Sequence, residues 1–269
     1  PVSITKVNVI DYIVDLGQVM DEANVPETGR KLVVPAWFAA QIKKSDLKVR
    51  THKDAEFMES AKKYLAEVGR QLAPLQLQNG GPILMVQVEN EYGVWGKDEA
   101  YMSAVRDAVR AAGFDKVQLF RCDWSSNFDA YTVDDVAVTL NFGAGSNIDD
   151  MFRKFIERYP HAPRMCSEYW TGWFDHWGRR HETRGVNSFI GSYKDMLDRR
   201  ISVSLYMAHG GSSFGQWGGA NAPPYSAMVS SYDYNAPIDE AGHATDKFHA
   251  VRNLLKNYLN PGESLPEIP

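Results

Sequence analysis

Cysteine is scarce in this chain: there are two in 269 residues, Cys122 and Cys166. They lie far apart in strand-like contexts and form no metal-spaced cluster, and so small a count does not fix the redox compartment. Long apolar runs are lacking as well; none reaches the roughly 18 residues that a membrane-crossing helix needs. Basic charge is not in excess. With 29 Lys and Arg against 34 Asp and Glu the net charge is −5, and without clustered cations to displace counterions nucleic acid is not an expected partner. The densest basic stretch, "KKSDLKVRTHK" (43–53), reads as a solvated loop and helix start. No signal-peptide pattern opens the chain.

What is present is the composition of a globular protein able to bury a sizeable core, 44% apolar and 23% charged. The length exceeds the usual ~100–200 residues of one domain, yet α/β barrels run to about 250 as one, so one large or two modest domains are both open. Seven Trp and thirteen Tyr supply flat apolar faces that stack on sugars or fill cores, and for any single one core filling is the first expectation.

From residue 54 helical and strand-like patterns take turns. Phe57, Ala61, Tyr64, Leu65, Val68 and Leu72 fall on one helical face that Pro74 helps to end. "ILMVQV" (83–88) has the continuous apolarity of a strand covered on both faces. A helix over 98–113 begins with acids that suit its dipole and stops at Gly113. Further strands are predicted at 117–120, 136–142, 164–169 and 201–207, with helices near 148–158, 186–200 and 245–259. That alternation implies an α/β fold with a parallel sheet and helices outside it, as a barrel or as a doubly wound sheet. Residues 1–46 break the rhythm. They offer one amphipathic helix with Ile10, Ile13, Val14, Gly17 and Met20 on a face, a turn at "VPETGR" and a short run, "LVVPAWF".

The chemistry-bearing residues cluster at predicted strand ends, where parallel α/β proteins meet their ligands. In "VENEYG", Glu89 and Glu91 flank Asn90 and would share one face if the extended geometry lasted through them. Glu168 in "RMCSEYWTGWFDHWG" stands at another strand end, followed by Trp170, Trp173, Phe174 and Trp177. Two carboxylates from different strands suit glycosidic cleavage, one protonating the leaving oxygen and the other attacking or directing water. The aromatic run would then face sugar or form a wall. Capping, ion pairing and plain loop packing are the competing explanations.

Other patterns are weaker. "GSSFG" (211–215) satisfies G-x-S-x-G, with Asp239 and His243 following Ser213 in hydrolase order, but a nucleophile elbow must lead into a helix and "QWGGANAPPY" cannot be one. His176 and His181 near Asp175 and Glu182 invite a metal reading, yet their spacing and the break at Gly178 do not give three or four convergent ligands. The Gly-rich stretch lacks the Lys-Ser/Thr ending of a phosphate loop.

Four stretches in order, "GGPILMVQVENEYG" (80–93), "SEYWTGWFDHWG" (167–178), "LYMAHGGSSFGQWGGAN" (205–221) and "SSYDYNAPIDEAG" (230–242), together resemble the family-35 glycoside hydrolases, the β-galactosidases. The resemblance implies a TIM (β/α)8-type barrel and a retaining double displacement on terminal β-galactosides. By motif position Glu91 matches the acid/base and Glu168 the nucleophile. Asn90 matches the amide that bonds the sugar beside the reacting centre, and Tyr206 and Tyr234 match tyrosines that line the galactose pocket. Glu89 has no catalytic counterpart and reads as structural support. A free Glu titrates near 4.3, so an acid working near neutrality must be raised by burial or a neighbouring negative charge, which an ionised Glu168 would supply until the sugar esterifies it. Retention requires carboxyl groups roughly 5–5.5 Å apart. No cofactor and no metal is implied. The family resemblance also implies an extracytoplasmic location, periplasmic, secreted or lysosomal.

The resemblance covers about residues 45–269, giving an expected division into a non-family segment, 1–46, and a barrel portion, 47–269. Family members carry three earlier barrel strands with a pocket tyrosine and a Cys-Ala-Glu segment that grips the galactose hydroxyls; no equivalent is found here, and "VVPAWF" (33–38) is only faintly similar to the segment that follows them. Residues 16–47 instead resemble a segment of tailed-phage major capsid proteins. The expectation is a hydrolase whose activity is weak or lost, with self-association through exposed strand edges unless the head substitutes for the missing strands. The alternatives are a non-catalytic galactoside-binding module and a capsid-like structural mosaic.

Overall fold

Residues 48–215, 218–221 and 224–268 are described by a computed structural model. The expected N-terminal helix, the turn at "VPETGR", the run "LVVPAWF", the capsid-like stretch and the boundary at 46 and 47 lie outside those residues. The chain divides between Val138 and Thr139 into two compact units.

In the first unit Asp54 starts helix α1, Ala55–Leu72, by accepting the Glu56 and Phe57 backbone N–H groups at 3.1 Å each, leaving fewer orphan donors at the helix start. Phe57, Ala61 and Leu65 are buried, and Tyr64, Val68 and Leu72 pack partly buried against the same core. Pro74 leads the chain out through a 3-10 turn. Strand β1 is Met85–Asn90, and Val86, Gln87 and Val88 are all fully buried, so both of its faces are covered. After a short helix α2, Tyr92–Trp95, helix α3, Glu99–Ala111, is capped by Asp98, and Gly113 follows at φ 102°. Strand β2, Gln118–Trp124, runs parallel to β1. Met102, Val105 and Val109 of α3 share one core with Val86, Val88 and Leu119.

The second unit repeats the pattern. Strands β3, Ala137–Gly143, β4, Met165–Trp170, and β5, Ser202–Tyr206, pair in parallel, β4 lying between the other two. Helix α4, Ile148–Arg158, follows β3, capped by Asn147, and helix α5, Val186–Asp198, follows β4. Tyr169 of β4 stacks on Phe189 of α5 with ring centres 5.3 Å apart and bonds its carbonyl at 2.7 Å. Past β5 come two small hairpins, β6 Gly211–Ser212 with β9 Ser231–Tyr232 and β7 Ala220–Asn221 with β8 Ser226–Ala227, before helix α6, Asp246–Leu255.

Strand order follows chain order without the reversal that a doubly wound sheet shows at its switch point. The fold is α/β, a portion of a TIM (β/α)8-type barrel. Two strands carry a bulge, β1 at its C-terminal end and β4 at its middle. From Gln87↔Phe120 to Asn90↔Cys122, β1 advances three residues while β2 advances two. From Leu140↔Cys166 to Asn141↔Glu168, β4 gains one residue, Ser167. Bulges of this kind are common beside active sites, where they re-aim a side chain.

Candidate active site

At the end of β1 the expected extended geometry fails. Glu89 sits at φ 66° and Glu91 at φ 51°, so the strand alternation that would place both acids on one face breaks at the bulge. A non-glycine residue in this region costs about 1–3 kcal/mol and persists where its surroundings over-determine it. Around Glu89 they do. Arg50 donates from Nε to Oε1 at 2.9 Å and from Nη2 to Oε2 at 2.7 Å, and the Tyr101 hydroxyl donates to Oε1 at 2.7 Å. The Asn90 backbone N–H reaches back to Oε2 at 2.6 Å. Arg50 also donates to the Asn90 carbonyl at 2.8 Å. Both partners are buried; burial pulls the guanidinium down and the Glu89 carboxylate outweighs it, leaving Arg50 raised. Burial, together with that carboxylate, pushes the Tyr101 phenol far up.

Glu89 is therefore consumed by the fold, and its network fixes the backbone of Asn90. The Asn90 oxygen accepts from Gln87 Nε2 at 2.9 Å and from Cys122 Sγ at 3.1 Å, so what this side chain can offer a ligand is its amide protons. Glu91 is half-buried. Its N–H donates to the Cys122 carbonyl at 2.9 Å and its own carbonyl accepts from Val94 at 3.1 Å, which anchors it at the start of α2.

The second unit gathers Glu168, Trp170, Trp173, Tyr206 and Tyr234. Glu168 is 5% exposed, and the Trp170 indole N–H donates to its Oε2 at 3.2 Å. Trp170 meets Trp173 edge-on at 5.4 Å, and Trp173 lies 5.0 Å from Phe174 and 6.2 Å from Tyr234 between ring centres. Tyr206, the last residue of β5, is paired with Trp170 and contacts Tyr234 edge-on at 5.4 Å. Tyr232, to which motif position assigns no role, stacks on Tyr234 at 5.4 Å, and its hydroxyl is 3.0 Å from that of Tyr206. Its spacing of two from Tyr234 was the available signal. Trp177 is 73% exposed and stands apart from these ring contacts. Asn90 and Glu91 belong to the first unit.

Two further residues shape this cluster. A Cβ on Gly172 would lie 1.7 Å from the Tyr234 carbonyl oxygen, so the close approach of the two segments requires glycine. Lys247 of α6 is 2% exposed and donates to the carbonyls of Thr171 at 2.6 Å and Asn235 at 2.8 Å.

The weaker patterns resolve locally. Asp239 holds the backbone N–H of His243 at 2.8 Å and its ring at 3.2 Å within one exposed turn, and Ser213 leads into a turn and not a helix. His176 bonds Asn221 at 2.8 Å, His181 bonds Asp175 at 2.6 Å, and the Glu182 backbone N–H bonds Asp175 at 2.7 Å. Among the described residues no three His, Cys, Asp or Glu converge.

The geometry thus gives a carboxylate beside each of two strand bulges and an aromatic wall in the unit of one of them. The model of the glycosyl hydrolases family 35 matches residues 33–258. Over 240 residues the chain is 40% identical to a β-galactosidase of Xanthomonas manihotis, covering 87% of this chain and 39% of that protein. Over 239 residues it is 38% identical to a β-galactosidase of Homo sapiens, covering 88% and 34%. The chain thus spans little more than a third of the length of these curated relatives. Among solved structures, a β-D-glucuronidase of Dictyoglomus thermophilum aligns with a TM-score of 0.52 at 14% identity over 81% of this chain and 38% of its own. A β-galacturonidase of Eisenbergiella tayi aligns at 0.51 and 12% over 82% and 41%; likeness at such identity is one of fold. With the family match running through the strands, the aromatic wall and α6, the chain belongs to the glycosyl hydrolases family 35.

Proposed function

We propose that this chain is a retaining glycoside hydrolase acting on terminal β-galactosides by double displacement, with Glu168 as nucleophile and Glu91 as acid/base. The observation that carries the reading is Glu168: a buried carboxylate beside a β-bulge in the C-terminal half of a parallel strand, held by the indole N–H of Trp170, whose ring opens the cluster of Trp173, Tyr234, Tyr206 and Tyr232. Family membership and the β-galactosidase names of its relatives supply the substrate class.

In the first step a Glu168 oxygen bonds to the anomeric carbon as the glycosidic C–O bond breaks, and Glu91 gives its proton to the departing oxygen. In the second, water attacks that carbon, Glu91 takes the water proton, and the ester bond to Glu168 breaks with return of the carboxylate. The Trp170 indole steadies one Glu168 oxygen so that the other can attack. Asn90, its oxygen engaged by Gln87 and Cys122, presents N–H donors suited to a sugar hydroxyl. The half-buried ring of Trp173 suits the apolar face of galactose, and Tyr234, 2% exposed and stacked on Tyr232, backs that wall.

The test is trapping with a slow 2-fluoro-galactoside. The expected result is a mass increment on the peptide containing Glu168, with turnover of an aryl β-galactoside abolished by Glu168→Gln. Labelling elsewhere, or turnover that survives the substitution, overturns the assignment; saturable galactose binding without turnover would favour a non-catalytic binding module. The wild-type rate decides between a full-rate enzyme and the weak one expected from the sequence.

A further inference from the structure

We infer that Lys247 is a positioning residue that sets where Tyr234 stands beside the Glu168 strand, an inference resting on the hydrolase reading of the aromatic cluster. Lysine is seldom fully buried without a partner, and here it occupies the first turn of α6, where a cation meets the positive end of the helix dipole and gains nothing from it. What holds the ammonium is a set of oxygens from two other segments: the Thr171 carbonyl, the Asn235 carbonyl and Asn235 Oδ1. The ammonium lies 5.5 Å from the Phe189 ring centre, and three donors meet three acceptors.

Both segments are parts of the candidate site. Thr171 follows Trp170 directly, and it ties β4 to the end of β5 through its N–H to the Tyr206 carbonyl at 2.9 Å and its hydroxyl to the Met207 carbonyl at 2.9 Å. Asn235 follows Tyr234, and both adopt left-handed backbone, at φ 49° and 58°. Such a turn keeps its form only under outside constraint. The Arg184 backbone N–H holds Asn235 Oδ1 at 2.8 Å, and Gly172 admits the Tyr234 carbonyl. Lys247 completes the clamp by joining the two segments through one cation. Charge-assisted bonds of this sort are about twice as strong as neutral ones, so its loss releases the Tyr234 turn while Glu168 stays in its strand.

The experiment compares Lys247→Met and Lys247→Gln with the wild type by amide hydrogen exchange and by kinetics on an aryl β-galactoside. Removing the clamp is expected to speed exchange over residues 231–236 by about tenfold or more, leaving α4 unchanged. KM is expected to rise about tenfold with kcat held within about threefold, the signature of lost substrate grip. Gln, which keeps two donors on a shorter stem, should fall between Met and the wild type, and it decides the matter if the Met variant does not fold. Exchange that rises evenly through the unit, or stays unchanged at 231–236, overturns the clamp, as does a KM that both substitutions leave at the value of an active wild type. A wild type that neither turns over nor labels at Glu168 refutes the hydrolase reading instead, and the exchange comparison then judges the clamp by itself.

Discussion

Glu89 and Glu91 are two positions apart and differ in what surrounds them. Glu89 accepts four hydrogen bonds, from Arg50 twice, Tyr101 and the Asn90 backbone, so Glu89→Ala strands a buried guanidinium. The expected cost is about 3–5 kcal/mol in urea unfolding, since breaking a buried pair leaves an uncompensated charge. Glu91→Gln keeps shape and should leave the unfolding midpoint near the wild-type value. It should slow hydrolysis of an unactivated β-galactoside by about 10²–10⁴-fold, the usual worth of a general acid, and slow a dinitrophenyl galactoside less, because that leaving group needs little protonation. Equal losses on both substrates would count against Glu91 as proton donor. The sequence marked both acids and the difference between them through motif position. It could not show Arg50, which is 39 residues from Glu89; nothing local distinguishes that arginine from a solvated one.

Helices and strands were largely legible because burial imposes its period on the sequence. The apolar face from Phe57 to Leu72 and the stop at Gly113 follow from side-chain spacing and backbone freedom, and helix α1 and α3 end close to where those signals stand. The bulges were not legible. Local propensity argues against left-handed backbone at Glu89, Glu91 and Tyr234, and only contacts from other elements outweigh it. Packing between elements makes its own prediction at Gly172. Gly172→Ala forces a methyl against the Tyr234 carbonyl, and overpacking of this kind typically costs about 1–3 kcal/mol. Thermal unfolding should register that loss, and KM should rise with it as Tyr234 is displaced; a variant that melts and turns over like the wild type would show that the two segments can part freely.

At the scale of the whole molecule, buried titratable groups set how stability varies with pH. Burial draws the Lys247 ammonium down to about 8 from 10.5; Arg184 adds to the shift and Asp233 opposes it. Because the folded pKa is depressed, the unfolded chain binds more protons between these values, and stability rises with pH across that window. The contribution is complete above the unfolded pKa and is lost as pH falls toward 8. Tyr92 has the opposite sign. Burial pushes it up to about 12 from 10, so its contribution is complete below 10 and is lost as pH climbs to 12. Between pH 8 and 10 the wild type should therefore gain stability relative to Lys247→Met, measured by denaturant unfolding at fixed ionic strength. Parallel profiles for the two proteins would remove Lys247 as the cause.

By itself the sequence determined the α/β class, the order of strands and helices from residue 54 onward, and which acids and aromatics are candidates, because hydrophobic period and motif are properties of neighbouring residues. Tertiary structure decided that Glu89 serves the fold, that Tyr232 joins the aromatic wall, and that Lys247 and Gly172 hold Tyr234 in place. Each of those outcomes depends on a partner distant along the chain or on a backbone angle that local preference disfavours, and a hydrogen bond across such a distance exists only once the chain has folded.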